Sequence, residues 1–420
     1  MGALKSLLQK ILPRSWYHAL TLPYHYALSL GAALWYRFPA RSLVVIGVTG
    51  TKGKSSVSDM LYTTLQESGV RVATASTIRF AIGEESSPNL YKMTLPGRGF
   101  IQKFLRRAVD AGCTHAVVEL TSESTRNFRH LYLDMNALVF TNLHKEHIES
   151  HGSYEKYAEA KFRIGKELAR SSKRPRAIIA NADDGASAPY LALPVEEHLP
   201  FSLQNAQEVT LSAGHVAFTY NGVPFSLHLP GSFSIMNALA VIHAAEFIGI
   251  ALPKIASALA SLERIPGRTE RIEEGQPFTV VVDYAHTPDS LQALYDAYPG
   301  KKLCVLGNTG GGRDTWKRPE MGRIADEACT EVFLTDEDPY DEDPNAIVQA
   351  MAKGMRRTPI IIMDRREAIH TALTHAKAGD SVLITGKGTD PYIMGANGTK
   401  TPWSDAQVVR EELKKLLSYG

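Results

Sequence analysis

Cysteine is nearly missing from this sequence: Cys113, Cys304 and Cys329 are the only three in 420 residues. They are widely spaced, odd in number and form no CxxC pair, which excludes a zinc ribbon or a disulfide-dense secreted scaffold. A reducing, cytoplasmic compartment is the expected setting. An excess of one charge is also missing, since 46 Lys and Arg face 44 Asp and Glu for a net +2. That removes the general electrostatic footprint of a nucleic-acid binder, so anion binding has to be local. Low-complexity tracts and internal repeats are absent, and nothing in the composition calls for disorder. Charge itself disappears in one place, "WYHALTLPYHYALSLGAALWY" from Trp16 to Tyr36, flanked by Lys5, Lys10 and Arg14 before and by Arg37 and Arg41 after. The stretch has the length of a bilayer span, but Pro23, two histidines and the many aromatics argue against one. An interfacial helix with peripheral membrane contact is expected, the alternative being an aromatic helix packed on the next domain. No small-residue cleavage site follows it, so it does not read as a signal peptide.

What is present is an ordinary soluble composition, 44% hydrophobic and 21% charged, at a length that suits two or three domains. Short β-branched runs, "SLVVIGV", "HAVVEL" and "NALVFTNL", are separated by helix-length segments, the signature of parallel βαβ units. From Val195 to Leu229 the pattern turns to shorter alternating strands with a hairpin at "NG", followed by two helices. After the Pro266-Gly267 turn a second α/β series begins: "FTVVVDYAH", "KKLCVLGN", "EVFLTDEDP", "TPIIIM" and "DSVLITGKG". The expected architecture is therefore α/β. It has an apolar N-terminal segment (1–41), a P-loop central domain with a mainly parallel sheet and a small β-rich subregion (42–265), and a Rossmann-like C-terminal domain (266–420). Strand ends that run into polar and glycine residues in both halves point to a cleft between them.

The strongest single motif is "VIGVTGTKGKSS", Val45 to Ser56. Val48 stands where the usual G-x-x-x-x-G-K-[ST] loop has its first glycine, and Gly47, Gly50 and Gly53 are instead spaced by three. A strand, a glycine turn and a helix start still converge backbone N–H groups on phosphate, with Lys54 for the β/γ oxygens and Ser55 for Mg²⁺. Gly50, Thr51, Gly53, Lys54, Ser55 and Ser56 are the expected ATP-binding residues. Lys52 has no role readable from the sequence.

This G-x-x-G-x-x-G-K-S spacing resembles the Mur ligases, the family that includes folylpolyglutamate synthetases. "VVELTSES" resembles the family strand that ends in a metal-binding glutamate, which implies Glu119 as a Mg²⁺ ligand. "TNLHKEHIESHGSYEKYAEAKFRIG" resembles the "TNL…DHxxxHG…Y…AK" stretch of the peptidoglycan tripeptide synthetases. That implies His147 at a second metal and Lys161 as a carbamylated lysine. Taken singly, Glu119 reads as a capping or ion-paired carboxylate, His147 as a surface residue and Lys161 as a solvated helix residue; their order along the chain gives them the other reading.

The second half carries further matches. "IPGRTERIE" resembles the family linker and implies Arg268 near the nucleotide. "VVVDYAHTPDSL" implies Asp283 on the ribose, with His286 and Pro288 shaping the loop. "GSFSIMNALA" implies Asn237 beside adenine, although Ser234 departs from the pattern. "GNTGGGRDTWKRPEMG" implies Arg313 at the carboxylate of the incoming amino acid, a pairing the guanidinium fork suits. Where diaminopimelate-adding members read "DNPR" this chain reads "EDPY", Glu337 to Tyr340, and "GKGTD", starting at Gly386, has Asp390 in place of a glutamate. Glu337, Asp338, Tyr340, Gly386 and Asp390 are thus expected around the amino acid. An acidic pocket without the arginine suits a basic side chain such as lysine; the plainer reading of this run is helix caps and solvated charges.

The resemblance implies an ATP- and Mg²⁺-dependent ligase that adds an amino acid to a carboxylate through an acyl phosphate, in peptidoglycan precursor or related cell-wall peptide synthesis. The segment ahead of Ser42 is short beside the family's UDP-binding domain, so a muramyl-peptide-like or lipid-linked acceptor is expected, met at the inner face of the membrane by a monomer. The rival readings are a folylpolyglutamate-type ligase, a ligase-like subunit of a glutamine amidotransferase, and a membrane-associated scaffold that binds ATP without turnover.

Overall fold

A computed structural model describes residues 14–97, 99–146 and 151–418, with side chains from residue 22 onward. The uncharged segment forms helix α1 (Arg14–Trp35), with Pro23 inside it. Its C-terminal half packs on the following domain: Ala33 is fully buried, Ser29 Oγ donates to the Phe128 carbonyl at 2.8 Å, and the Tyr26 ring meets Phe128 edge-on. Gly99 lets α1 come this close, because a Cβ there would lie 2.7 Å from that of Ala32. Leu34 and Trp35, 58% and 82% exposed, stay outside this contact. Among the described residues no helix is long and apolar enough to cross a membrane.

Strand β1 (Val44–Thr49) is almost wholly buried, as a central parallel strand covered on both faces must be. It leads through the glycine turn into helix α2 (Lys54–Glu67). Six strands run parallel: β1, β2 (Val72–Ala75), β5 (His115–Glu119), β6 (Ala137–Phe140), β7 (Ala177–Asn181) and β8 (Glu197–Phe201). Strands β3 (Arg79–Ile82) and β4 (Glu85–Pro88) add an antiparallel edge, giving the order β4-β3-β2-β5-β1-β6-β7-β8. Helices α3 (Phe100–Asp110), α4 (Ser122–Arg126) and α5 (Tyr154–Arg170) are inserted along this half. Strand β1 sits where the chain switches from building one side of the sheet to building the other, and the crevice at its C-terminal end opens there.

Two features depart from the sequence reading. Glu197–Phe201, read there as part of the alternating region, pairs in parallel with β7. The alternating region proper is a three-stranded antiparallel sheet of β9 (Gln207–Ser212), β10 (His215–Tyr220) and β11 (Val223–Leu227). Its Asn221-Gly222 turn has both φ angles positive, 47° and 76°, the conformation a tight hairpin requires. Helix α6 (Ser232–Phe247) is apolar nearly all round and is accordingly buried in the same core as both sheets. Helix α7 (Leu252–Ala260) closes this half.

The second sheet runs β12 (Glu270–Arg271), β13 (Thr279–Asp283), β17 (Ser381–Thr385), β14 (Lys302–Leu306), β15 (Glu331–Leu334) and β16 (Ile360–Ile361), with only β12 antiparallel. Helices α8 (Pro288–Ala297), α9 (Lys317–Ala328), α10 (Pro344–Ala352), α11 (Arg365–His375) and α12 (Asp405–Ser418) cover it, and a small hairpin, β18 (Tyr392–Met394) with β19 (Lys400–Pro402), stands beside it. Two apolar clusters fill this half, one on each face of the sheet. The second departure lies here: Cys304 on β14 and Cys329 at the end of α9 form a disulfide. Their separation of 25 residues reads as scatter in the sequence, but it is the length of one crossover between neighbouring parallel strands, which returns the chain to the same level of the sheet.

Candidate active site

The glycine turn is built by steric exclusion. Gly50 and Gly53 have φ of +146° and +79°, and a Cβ would fall 1.9 Å from Thr141 Oγ1 at the first and 2.5 Å from Asn237 Oδ1 at the second. Gly53 caps α2 without a side-chain bond, so the first N–H groups of that helix face the crevice ready for an anion. The loop is braced from outside. Asn142 Oδ1 accepts from Lys52 N at 2.8 Å, His144 N donates to Thr51 Oγ1 at 3.0 Å, and Thr51 Oγ1 lies 3.0 Å from the Tyr157 hydroxyl.

Three basic side chains gather here, with Glu119 and Glu146 as the opposing charges. Lys54 Nζ donates to the Thr51 carbonyl at 2.8 Å; burial lowers its pKa, and the Glu119 charge opposes the shift. Lys161, on α5, is 2% exposed, donates to the Gly50 carbonyl behind the loop, and has its ammonium 4.9 Å from the Tyr157 ring centre. Burial, then repulsion from Lys54, holds it well below the ordinary lysine range. Arg268 reaches in from the linker, stacked on Tyr284 at 4.4 Å with Nη2 donating to Ser55 Oγ at 3.4 Å. Excess desolvated positive charge around free helix N–H groups is what a polyphosphate would neutralise.

Glu119, at the end of β5 and 1% exposed, faces this loop. It accepts from Ser55 Oγ at 3.1 Å, from Thr77 N at 2.8 Å and from Thr77 Oγ1 at 3.0 Å. Among the described residues no group of three or more His, Cys, Asp or Glu forms a closed metal cage. One carboxylate with neighbouring hydroxyls is a hard-oxygen set that leaves most positions to water and phosphate, which fits Mg²⁺. His147 lies outside the described residues.

A cavity of ≈ 900 Å³ separates the two halves, and both line it. Thr51, Gly53, Lys54, Ser55, Ser56, Glu119, Asn237, Arg268, Asp283, Arg313, Glu337, Asp338, Tyr340, Gly386 and Asp390 all reach its wall. Gly50 and Lys161 stand behind the loop. Asp283, at the end of β13, accepts from Thr269 N and Ala285 N, both at 2.6 Å, which leaves each carboxylate oxygen a free lone pair toward the cavity. Its pKa is raised by desolvation, against the pull of Arg268. Two residues without a role in the sequence reading acquire one as a bridge between the halves. Lys52 Nζ lies 3.4 Å from Glu146 Oε2, and Glu146 Oε1 lies 3.0 Å from His286 Nε2. Glu146 sits inside the quoted "TNLHKEH" stretch and could have been found there.

Strand ends of the second sheet supply the opposite wall. Arg313 is exposed, with its guanidinium 5.1 Å from the Tyr340 ring centre. Glu337 is 2% exposed; Oε1 accepts from Thr309 Oγ1 at 2.8 Å, while Oε2 has no hydrogen-bond partner among the described residues. Gly386 makes room for it, since a Cβ would lie 2.4 Å from that oxygen. Asp338 Oδ1 accepts from Lys387 Nζ at 2.9 Å and from Met394 N at 2.8 Å. Lys92, from the first half, reaches across to Asp338 Oδ2 at 2.5 Å and Asp390 Oδ2 at 3.2 Å. No sequence signal marks Lys92.

A glycine loop at a helix start facing a carboxylate–hydroxyl set that would suit Mg²⁺, across a cleft from a charged side-chain pocket, is the arrangement an ATP-dependent acid–amino-acid ligase needs. The Mur ligase middle domain model matches residues 48–245, and the Mur ligase glutamate ligase domain model matches residues 267–388. The chain is 36% identical to a UDP-N-acetylmuramyl-tripeptide synthetase of Roseiflexus sp., covering 94% of this chain and 83% of that one. It is 34% identical to a UDP-N-acetylmuramoyl-L-alanyl-D-glutamate–2,6-diaminopimelate ligase of Caldanaerobacter subterraneus, covering 91% and 80%. A solved structure of a ligase with the latter name superposes with a TM-score of 0.63 at 28% identity, covering 93% and 83%. A folylpolyglutamate synthase of Mycobacterium tuberculosis shares the fold, with a TM-score of 0.69 at 17% identity, 89% of this chain and 97% of that one. The chain belongs to the Mur ligase family, as an ATP-dependent peptide ligase of the tripeptide-synthetase type in peptidoglycan precursor synthesis.

Proposed function

We propose that this ligase joins a basic amino acid, lysine or a close homologue, to the carboxylate of a muramyl-peptide acceptor in the cytoplasm. The observation that carries the amino-acid assignment is the pocket of Glu337, Asp338 and Asp390, which has no arginine in the "EDPY" run and already holds a lysine ammonium between two of its carboxylates. A side chain ending in a bare ammonium matches it; one that also carries a distal carboxylate would meet like charge.

In the reaction the glycine loop, Lys54 and Ser55 hold the ATP phosphates, while Arg268, Asn237 and Asp283 hold the nucleoside. The acceptor carboxylate forms an O–P bond to the γ-phosphorus as the bond to ADP breaks, giving an acyl phosphate. The amino group of the amino acid, held through its carboxylate by Arg313, then attacks the carbonyl carbon, phosphate leaves, and the amine loses its proton. Glu119 and Ser55 would hold Mg²⁺, which would supply positive charge beside the transferring group. Lys54 does the same from a desolvated position, where the electrostatic effect is strongest. Carbamylation would turn Lys161 into an oxygen donor, which with His147 would hold a second metal ion; its buried amine, held below the ordinary lysine range, supports that chemistry. The bridge from Lys52 through Glu146 to His286 ties the two halves together across the cleft, where exclusion of water would protect the acyl phosphate from hydrolysis.

ADP release, screened with lysine, ornithine and diaminopimelate against UDP-linked and lipid-linked muramyl peptides, tests this. Turnover with lysine or ornithine well above diaminopimelate is expected, and diaminopimelate as the preferred substrate overturns it. The exposed Leu22, Leu34 and Trp35 on α1 support a second element, peripheral contact with a membrane that carries the acceptor. Sedimentation with anionic vesicles that is unchanged in an L34S/W35S double variant rejects it.

A further inference from the structure

The contact between Lys92 and the acidic pocket is unusual in its reach. It joins residues 246 positions apart, and the neighbours of Lys92 on its loop, Leu90, Tyr91 and Met93, are 55%, 58% and 41% exposed. Lys92, between them, turns inward, to 15% side-chain exposure. Its backbone is left-handed, with φ +53°, and so is that of Tyr340 across the contact, also φ +53°. Residues with side chains seldom hold this conformation without a surrounding structure that requires it.

The charge count explains what the slot needs. Asp338, Asp390 and Glu337 bring three carboxylates; against them the second half sets buried Lys387, at 2.9 Å from Asp338 and 3.5 Å from Asp390, with Lys317 and Arg365 within electrostatic reach of Glu337. Lys92 is the one hydrogen-bond partner of Asp338 Oδ2 among the described residues, and Asp390 Oδ2 otherwise meets only Lys387, at 3.5 Å. These two oxygens thus draw a second ammonium, and in this structure that ammonium is Lys92. Its remaining contacts, the Tyr392 carbonyl at 3.4 Å and the Tyr340 ring at 5.9 Å, are ones that any alkylammonium end could make.

We propose that Lys92 is a tethered occupant of the side-chain slot, which the ammonium of the incoming substrate must displace. This rests on the reading of that substrate as a basic amino acid. The tether makes Lys92 a specificity-determining residue. A neutral side chain gains nothing from entering, because expelling Lys92 leaves two carboxylates short of a cation, whereas a basic side chain replaces one ammonium by another. Displacement is also reported to the phosphate side. Two residues along the loop, Thr94 Oγ1 lies 2.8 Å from Thr77 Oγ1, and Thr77 hydrogen-bonds both oxygens of Glu119.

A slot filled about nine-tenths of the time by its tether weakens the apparent affinity for a competitor roughly tenfold. In this chain, K92M and K92A are therefore expected to lower the KM for lysine or ornithine about tenfold. Calorimetry with n-butylammonium in the presence of ADP and Mg²⁺ should show tighter binding by K92M than by the parent chain, and loss of that gain in K92M/D390N. An unchanged or raised KM for the basic amino acid, together with equal n-butylammonium affinity, overturns the proposal and makes Lys92 a fixed counter-ion. If the parent chain uses neither lysine nor ornithine, the substrate reading fails separately; the n-butylammonium comparison then decides whether Lys92 is displaceable.

Discussion

The two walls of the cleft handle charge in opposite ways. On the phosphate side, Lys54 and, from behind the loop, Lys161 are desolvated and donate to backbone carbonyls of the glycine loop, and burial lowers both from the usual lysine value. On the pocket wall, carboxylates and lysines are already paired across short distances, Asp338 with Lys387 and Lys92. The first wall is unfinished until a polyanion arrives, so its binding energy is kept for the ligand whose charge changes during reaction. In the second, Asp338 and Asp390 are paired before any substrate arrives, with Glu337 Oε2 left unpartnered among the described residues, so on our proposal it selects by exchange. One cleft thus separates catalysis by preorganised charge from specificity by competition.

The most severe way to break this contrast is at Lys54. K54A is expected to reduce ligation by about 10³-fold or more without loss of the folded circular-dichroism spectrum, measured by ADP release; ligation near the parent rate would remove Lys54 from the phosphate wall. G53A comes next. A Cβ 2.5 Å from Asn237 Oδ1 at φ +79° should weaken ATP binding roughly tenfold, given the ~1–2 kcal/mol that a side chain pays in the left-handed region, and equilibrium dialysis with ATP measures it. On the other wall, E337Q removes a charge that has no partner on Oε2 among the described residues and leaves the Thr309 bond possible. It should raise the KM for the basic amino acid several-fold while leaving ATP affinity unchanged, which sharpens the separation of the walls if both halves of the result hold.

The smallest effect concerns burial without compensation away from both walls. His130, 4% exposed, is pushed from 6.5 down to about 4 chiefly by burial. Its folded pKa lies below its unfolded one, so the unfolded chain takes up the proton first and stability falls as pH drops from 6.5 toward 4. H130N should flatten that part of the urea-denaturation profile.

Much of the phosphate wall is legible in the sequence, because it is local. A β-branched run, glycines that alone tolerate positive φ, and a lysine-serine helix start lie within Val45 to Ser56 and need only their own backbone to converge on an anion. The alternation of buried strands and helices is equally local, and it points to two α/β halves. The β3–β4 edge has no such signal: "ESSP" is exposed at every position, and only pairing with its neighbour makes it a strand. Glu197–Phe201 reads as part of the wrong sheet for the same reason, since alternation reports one buried face without saying which sheet provides the partner.

The pocket wall shows the limit most clearly. The acidic run and Asp390 can be read as a basic-side-chain pocket from their composition, but not the ammonium that meets them, because Lys92 lies 246 residues away from Asp338, between exposed Tyr91 and Met93. The same holds for Lys52, whose partner Glu146 is supplied by another loop of its own domain and tied to His286 of the other. Short-range backbone chemistry wrote the nucleotide loop, the strand–helix alternation and the turn at Asn221-Gly222 into the chain directly. Which charges meet across the cleft was settled by packing two separately folded sheets against each other. Ion pairing depends on distance in space, and distance along the chain carries almost no information about it.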